Sequence, residues 1–190
     1  DKEGNKLAES RCSLDETGQP ISIGISPDGS KLAVSYLQVQ EGAADSCVVF
    51  YNFGSVGSNF VDKIVSSKVY SDTIIPRIKY IGKAVCAAVS DQSIIYYEGA
   101  EIPEEKNVVP VNSEIESVFW GDGRIGIVTL GDDETEEKEE EEGRYRICLY
   151  DASGREILTK KTNLEYRQVK LSGKHLILYN ENECEIYSEK

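Results

Sequence analysis

Methionine is absent from this chain, tryptophan and histidine occur once each, and proline occurs five times in 190 residues. Five cysteines, Cys12, Cys47, Cys86, Cys148 and Cys184, lie far apart and never in a CxxC pair. With His175 as the sole histidine, neither a zinc site nor a bound cofactor is expected. The odd number argues against a disulfide framework; buried, reduced thiols acting as small hydrophobes are the expectation, strongest for Cys86 and Cys148 in apolar runs. No apolar stretch reaches the roughly 18 residues of a membrane span. No secretory leader is visible. Because the chain starts at Asp1 without any methionine, a preceding segment, cleaved or left out, is expected, with room in it for a membrane anchor.

Charge is plentiful but lopsided. The net charge is −13, and residues 132–142 hold nine acids and one lysine, a net of −8, leaving −5 for the rest. Nothing forms a basic face, so nucleic acid is not an expected partner, since neutralising phosphates needs clustered Lys and Arg. Hydrophobic residues at 39% and charged residues at 29% suit a folded globular chain. Frequent valine, isoleucine, tyrosine and serine favour strands.

One plan recurs along the chain: apolar strand, tight turn, apolar strand, loop, third strand. It first appears as Ile21 to Ser26, the turn Pro27-Asp28-Gly29-Ser30, then Lys31 to Leu37. Pro27 presets φ, and Gly29 tolerates the positive φ that a β-carbon resists. A polar stretch, 38–46, reads as a loop before the strand Cys47 to Tyr51. Further modules begin near residues 77, 115 and 166, close to the roughly 40–50 residues of a propeller blade. Fourth, more polar strands fall at 62–70, 107–111 and 156–162, as edge strands facing solvent should. A sandwich or an open meander would instead show apolar–polar alternation along each strand. Several strands here, such as 84–89 and 176–178, are nearly continuous, as in sheets buried on both faces. The expected fold is therefore all-β: a β-propeller, or a fragment of one, of about four four-stranded antiparallel blades. The whole chain, 1–190, is read as one such domain or part of one, with modules at 21–73, 74–112, 113–163 and 164–190. The last module lacks a fourth strand, which residues 6–14 are expected to supply.

The string Ile23-Gly-Ile-Ser-Pro-Asp-Gly-Ser-Lys-Leu-Ala-Val34 resembles the inner hairpin of WD-like propeller repeats. Ile147-Cys-Leu-Tyr-Asp-Ala-Ser-Gly154 resembles their third strand and following turn. Across 21–97, Phe50-Tyr-Asn-Phe-Gly-Ser-Val-Gly57, Asp62-Lys-Ile-Val65 and Asp72-Thr-Ile-Ile-Pro76 resemble a bacterial family of unknown function found in Gram-positive anaerobes behind one N-terminal membrane helix. That resemblance implies an extracytoplasmic propeller anchored to the cell membrane through a segment missing from this chain, the alternative being a cytoplasmic protein. The family has no established catalytic residues, so none carries over.

Single residues offer little chemistry. Asp28, Asp122 and Asp151 stand beside glycine or serine at turns, where Asp is ordinary turn chemistry. His175 sits in a strand with no nucleophile motif to serve, and no triad can be assembled. Trp120 ends an inner strand, either in the core or at a channel mouth. Gly121, Gly123 and Gly126 are no dinucleotide fingerprint, because no helix follows. The acidic run lacks the spaced ligands and turn glycine of a calcium loop. It reads as a solvated, self-repelling insertion.

No catalytic, cofactor-binding or metal residue is therefore assigned, and partner-binding residues are not legible. The expected role is a non-catalytic interaction scaffold at the bacterial cell envelope, with a protein partner. A small-ligand or carbohydrate-binding propeller is the alternative, and an enzyme with a channel-mouth site ranks behind both. Replacing residues 132–142 with a short Gly-Ser linker should change unfolding free energy by less than about 0.5 kcal/mol. A larger loss in denaturant titration, or a bound metal ordering that run, would contradict the solvated reading.

Overall fold

The computed structural model describes residues 18–40, 42–54, 63–130 and 143–189. The expected closing strand at 6–14, Cys12 and the acidic run at 132–142 lie outside the described residues. Within them every regular element is a strand. The first sheet holds β1 (Gln19–Ile25), β2 (Lys31–Gln40), β3 (Ala43–Asn52) and β4 (Ile64–Tyr70). The second holds β5 (Arg77–Tyr80), β6 (Val85–Val89), β7 (Ser93–Glu98) and β8 (Glu104–Pro110). The third holds β9 (Ile115–Gly121), β10 (Arg124–Leu130), β11 (Tyr145–Tyr150) and β12 (Glu156–Thr162). Among the described residues the last has three strands, β13 (Gln168–Ser172), β14 (His175–Tyr179) and β15 (Cys184–Ser188). Neighbouring strands are consecutive in the chain, and every pairing resolved is antiparallel.

The turns form for the expected local reasons. Gly29 has φ +73°, and its amide donates to Ser26 O at 2.8 Å. Asp122 and Gly123 both have positive φ, +50° and +75°, as a two-residue hairpin loop matched to the strand twist requires. One expected loop is absent. Residues 38–40 and 42–46 belong to a long hairpin, with Gln38 opposite Asp45 and Gln40 opposite Ala43. Their polarity conceals the strands, because a ribbon solvated on both faces carries no apolar period.

Two compact units divide the chain: Asp1–Ser90 with Tyr97–Lys106, and Asp91–Tyr96 with Asn107–Lys190. In the first unit, the inner strand β1 lies against β5. A Cβ on Gly24 would sit 2.9 Å from Lys79 Cα and 3.1 Å from Ile78 O, so only glycine permits this backbone approach. Serines satisfy the buried backbone around it. Ser22 Oγ accepts from Ile78 N at 3.0 Å, Ser46 Oγ accepts from Ile75 N at 3.0 Å, and Ser35 Oγ donates to Ile75 O at 2.8 Å. Ile75, in the connector from β4 to β5, is fully buried, and its N–H and C=O would otherwise go unbonded.

In the second unit β9 meets β13, with a Cβ on Gly121 falling 2.8 Å from Leu171 Cβ. Phe119, Val128, Ile147, Leu149, Leu176 and Leu178 form the core between these sheets. Arg124 then clamps the last sheet: its guanidinium donates to Glu189 and to Gly173 O, and Asp122 lies 3.3 Å away. Asp122 also accepts from Gly173 N at 3.1 Å. β14 is not continuously buried as its sequence suggests. Leu176 and Leu178 are enclosed, but Ile177 faces the side of Lys170 and Ile186, and Ile186 is 62% exposed.

The Arg124 side chain is 11% exposed and that of Glu189 18%, so breaking the pair strands a poorly hydrated carboxylate. Arg124→Ala should cost about 2–3 kcal/mol in equilibrium unfolding. Arg155→Ala removes a 78%-exposed partner of Asp151 and should cost under about 0.5 kcal/mol. Equal losses in the two variants would contradict the clamp.

Candidate functional site

The conspicuous carboxylates serve the fold. Asp28 accepts from Ser26 Oγ at 2.6 Å and from Ser30 N and Oγ at 3.0 and 2.8 Å. Those bonds, Ser26 first, hold its pKa far below the usual carboxylate range. Asp151 accepts from Ser153 N, Ser153 Oγ and Arg155 N; burial resists its charge, but these bonds prevail and lower its pKa. Glu105 behaves likewise: burial opposes ionisation, yet bonds from Lys68 at 2.7 Å and Tyr70 at 2.6 Å keep it an anion. Tyr70 also meets Tyr97 hydroxyl to hydroxyl at 2.5 Å, so Glu105, Tyr70 and Tyr97 tie β4 to β7 and β8 inside the first unit. Asp122 is held in the Arg124 clamp. His175 is exposed at the start of β14, and Trp120 is half-buried opposite Ile125. Cys86 and Cys148 are buried, whereas Cys47 is half-buried and Cys184 exposed. The expectation of buried thiols thus fails at Cys184, which lies on the thinly covered face of the last sheet.

Two surface features among the described residues follow from the strand pairing. The first is the tip of the β2–β3 hairpin. Pairing of β1 with β2 runs from Ile25 opposite Leu32 to Gln19 opposite Leu37, and pairing of β4 with β3 stops at Tyr70 opposite Ser46. Three further residue pairs, from Gln38–Asp45 to Gln40–Ala43, continue past both flanking strands, about 10 Å at the usual rise. Val39, on this ribbon, is 68% exposed.

The second feature is a cavity of about 410 Å³ in the second unit. Strand alternation creates it. Tyr145, Ile147 and Leu149 of β11 point into the core, so Arg146, Cys148 and Tyr150 line the opposite face. Thr129 lies opposite Arg146, Ile127 opposite Cys148 and Glu156 opposite Tyr150, and all line the same space. The facing wall is the end of β8 and the connector to β9, including Asn112 and Ser113, with Val111 N bonded to Gln92 O at 2.8 Å. Burial pushes the Tyr150 phenol up, helped by its bond with Cys148 and by Glu156. Cys148 and Glu156 both favour the charged form of Arg146. None of these residues stands out in the sequence, although an arginine inside the apolar run Tyr145-Arg-Ile-Cys-Leu-Tyr150 is a signal that could have found them.

A family model described as a family of unknown function, DUF5711, matches residues 1–190. No curated protein matches the chain. Among solved structures, Kluyveromyces marxianus Hsv2 is 13% identical with a TM-score of 0.50, the match covering 90% of this chain and 46% of that one. A eukaryotic initiation factor is 10% identical with a TM-score of 0.53, covering 82% of this chain and 35% of that one. The chain spans less than half the length of either structure. Identities this low speak for fold alone: both neighbours are β-propellers, and the four antiparallel sheets are propeller blades.

The three lowered carboxylates have a pH consequence. Their folded pKa values lie below the unfolded ones, so the unfolded chain binds more protons as pH falls. Their stabilisation is complete above the usual carboxylate pKa of about 4 and is lost as pH drops through the depressed folded values. Melting temperature should therefore fall steeply below about pH 4, less so in Asp151→Asn. An unchanged acid limb in that variant would contradict the role given to Asp151.

Proposed function

The chain belongs to DUF5711, a family of unknown function, and on the geometry above we propose that it works as a non-catalytic interaction propeller that holds a partner protein on the β2–β3 ribbon. The observation that carries this reading is the ribbon itself. It extends three residue pairs beyond the strands that flank it, anchored at its base by Asp45 accepting from Asp72 N at 3.0 Å, and it presents Val39 to solvent. An exposed apolar residue on a protruding strand pair suits recognition, since partner strands and apolar side chains both add to such a ribbon. Direction of titration supports binding over catalysis. Asp28, Asp151 and Glu105 are all driven towards permanent anions engaged in fold-forming bonds, the opposite of a carboxyl raised to donate a proton. The resemblance seen in the sequence supports an envelope location, with the partner an extracytoplasmic protein.

The test places a photo-crosslinking amino acid at position 39 of the full-length protein in living cells, with position 170 as the exposed control. A discrete protein adduct formed from position 39 and not from 170 is expected. Val39→Asp should abolish the same complex in affinity capture while shifting stability by less than about 0.5 kcal/mol. No adduct at 39, or the same adducts at both positions, would contradict the ribbon as the docking element.

A further inference from the structure

We propose that the cavity beside β11 binds a small zwitterion of the amino-acid class, with its carboxylate on Arg146 and its ammonium on Glu156. This site is separate from the ribbon and stands without it. At about 410 Å³ the cavity falls within the roughly 300–1,000 Å³ of small-molecule sites. Its charges sit at its two ends. Arg146 lies in the row of Thr129, while Glu156 lies in the row of Tyr150, four residues further along β11. That offset is about 13 Å between strand positions, and two long side chains narrow it to the length of a small molecule. The guanidinium feels the field of Glu156, yet among the described residues no ion pair joins the two. Each charge is thus available to a ligand.

Between these ends the lining is mixed. Val111 and Ile127 offer apolar contact, Tyr150 a ring, and Asn112 a hydrogen-bonding group. Gly154 forms part of the wall, and a Cβ there would meet the Tyr96 ring at 2.9 Å. Tyr96 is 2% exposed, and its hydroxyl has no hydrogen-bond partner among the described residues. Charge decides the class. A simple carboxylate would meet Arg146 but be repelled by Glu156, and a simple amine would meet the reverse, so a molecule bearing both charges is selected against either.

Calorimetric titration of the full chain with alanyl-alanine tests this. Binding is expected, weakened about tenfold or more when the ammonium is acetylated or the carboxylate amidated, since each cap removes one charge-assisted contact. Arg146→Gln should erase the preference for the free carboxylate alone, and Glu156→Gln the preference for the free ammonium alone. Both residues are exposed, and melting curves verify that the variants fold. No heat at millimolar dipeptide, capped and free forms binding equally, or preferences unchanged in both variants would each overturn the proposal. The capped ligands decide the matter on the unmodified protein even if a variant fails to fold.

Discussion

Backbone-to-backbone approach of the innermost strands is the constraint on which the rest depends. Gly24 of β1 lets the first sheet settle on the backbone of Lys79 and Ile78 of β5, and in the second unit Gly121 of β9 makes room for the Leu171 side chain of β13. Sheets that meet this closely bury their connectors, and buried connectors need partners for each N–H and C=O. Ser22, Ser35 and Ser46 supply them around Ile75 and Ile78. The second unit solves the corresponding problem with charge, closing the β13–β14 turn and Glu189 on Arg124 and Asp122. Ser22, Ser35 and Ser46 are thus placed by stacking, whereas Ser26, Ser30 and Ser153 serve turns.

How much of this is legible in the sequence depends on whether a residue's role follows from its neighbours in the chain. Turn chemistry is local, and Pro27-Asp28-Gly29 and Asp122-Gly123 can be read directly. Continuous apolar strands such as Val85–Val89 also announce burial on both faces. Residues 38–46 read as a loop because past the buried Ser46 the ribbon has no core face, and polar strands look like loops when no apolar period marks them. Residue type suggests burial of Cys184 and an apolar run suggests enclosure of Ile177, but the face they share is thinly covered, which only three dimensions reveal. The cavity is hidden in the sequence for a related reason. Arg146, Glu156 and Asn112 are scattered over some forty residues and converge only through strand register.

Carboxylates illustrate how fold and function divide the side chains. Those nearest the glycine and serine turns, whose residue type alone invites a catalytic reading, are held by serine hydroxyls, backbone amides and arginine. Side chains turned to solvent lie elsewhere: Val39 on the ribbon past the first sheet, and Arg146 on the face of β11 turned away from its core. Both are by-products of the same geometry, since a blade held rigidly through its inner strand can lengthen a hairpin or open one strand face without disturbing the stack.

Because the first sheet and its ribbon are held by the contact of β1 with β5, substitution at Gly24 tests the account of the first unit most directly. Gly82 provides the control, its nearest neighbour to an added Cβ being Val85 at 3.7 Å, an ordinary contact. Equilibrium denaturation should show Gly24→Ala destabilised by about 1–3 kcal/mol, the usual cost of overpacking, against under about 0.5 kcal/mol for Gly82→Ala. Indistinguishable midpoints for the two variants would mean that β1 and β5 do not meet backbone to backbone, and the stacking on which the first sheet and its ribbon depend would have to be abandoned.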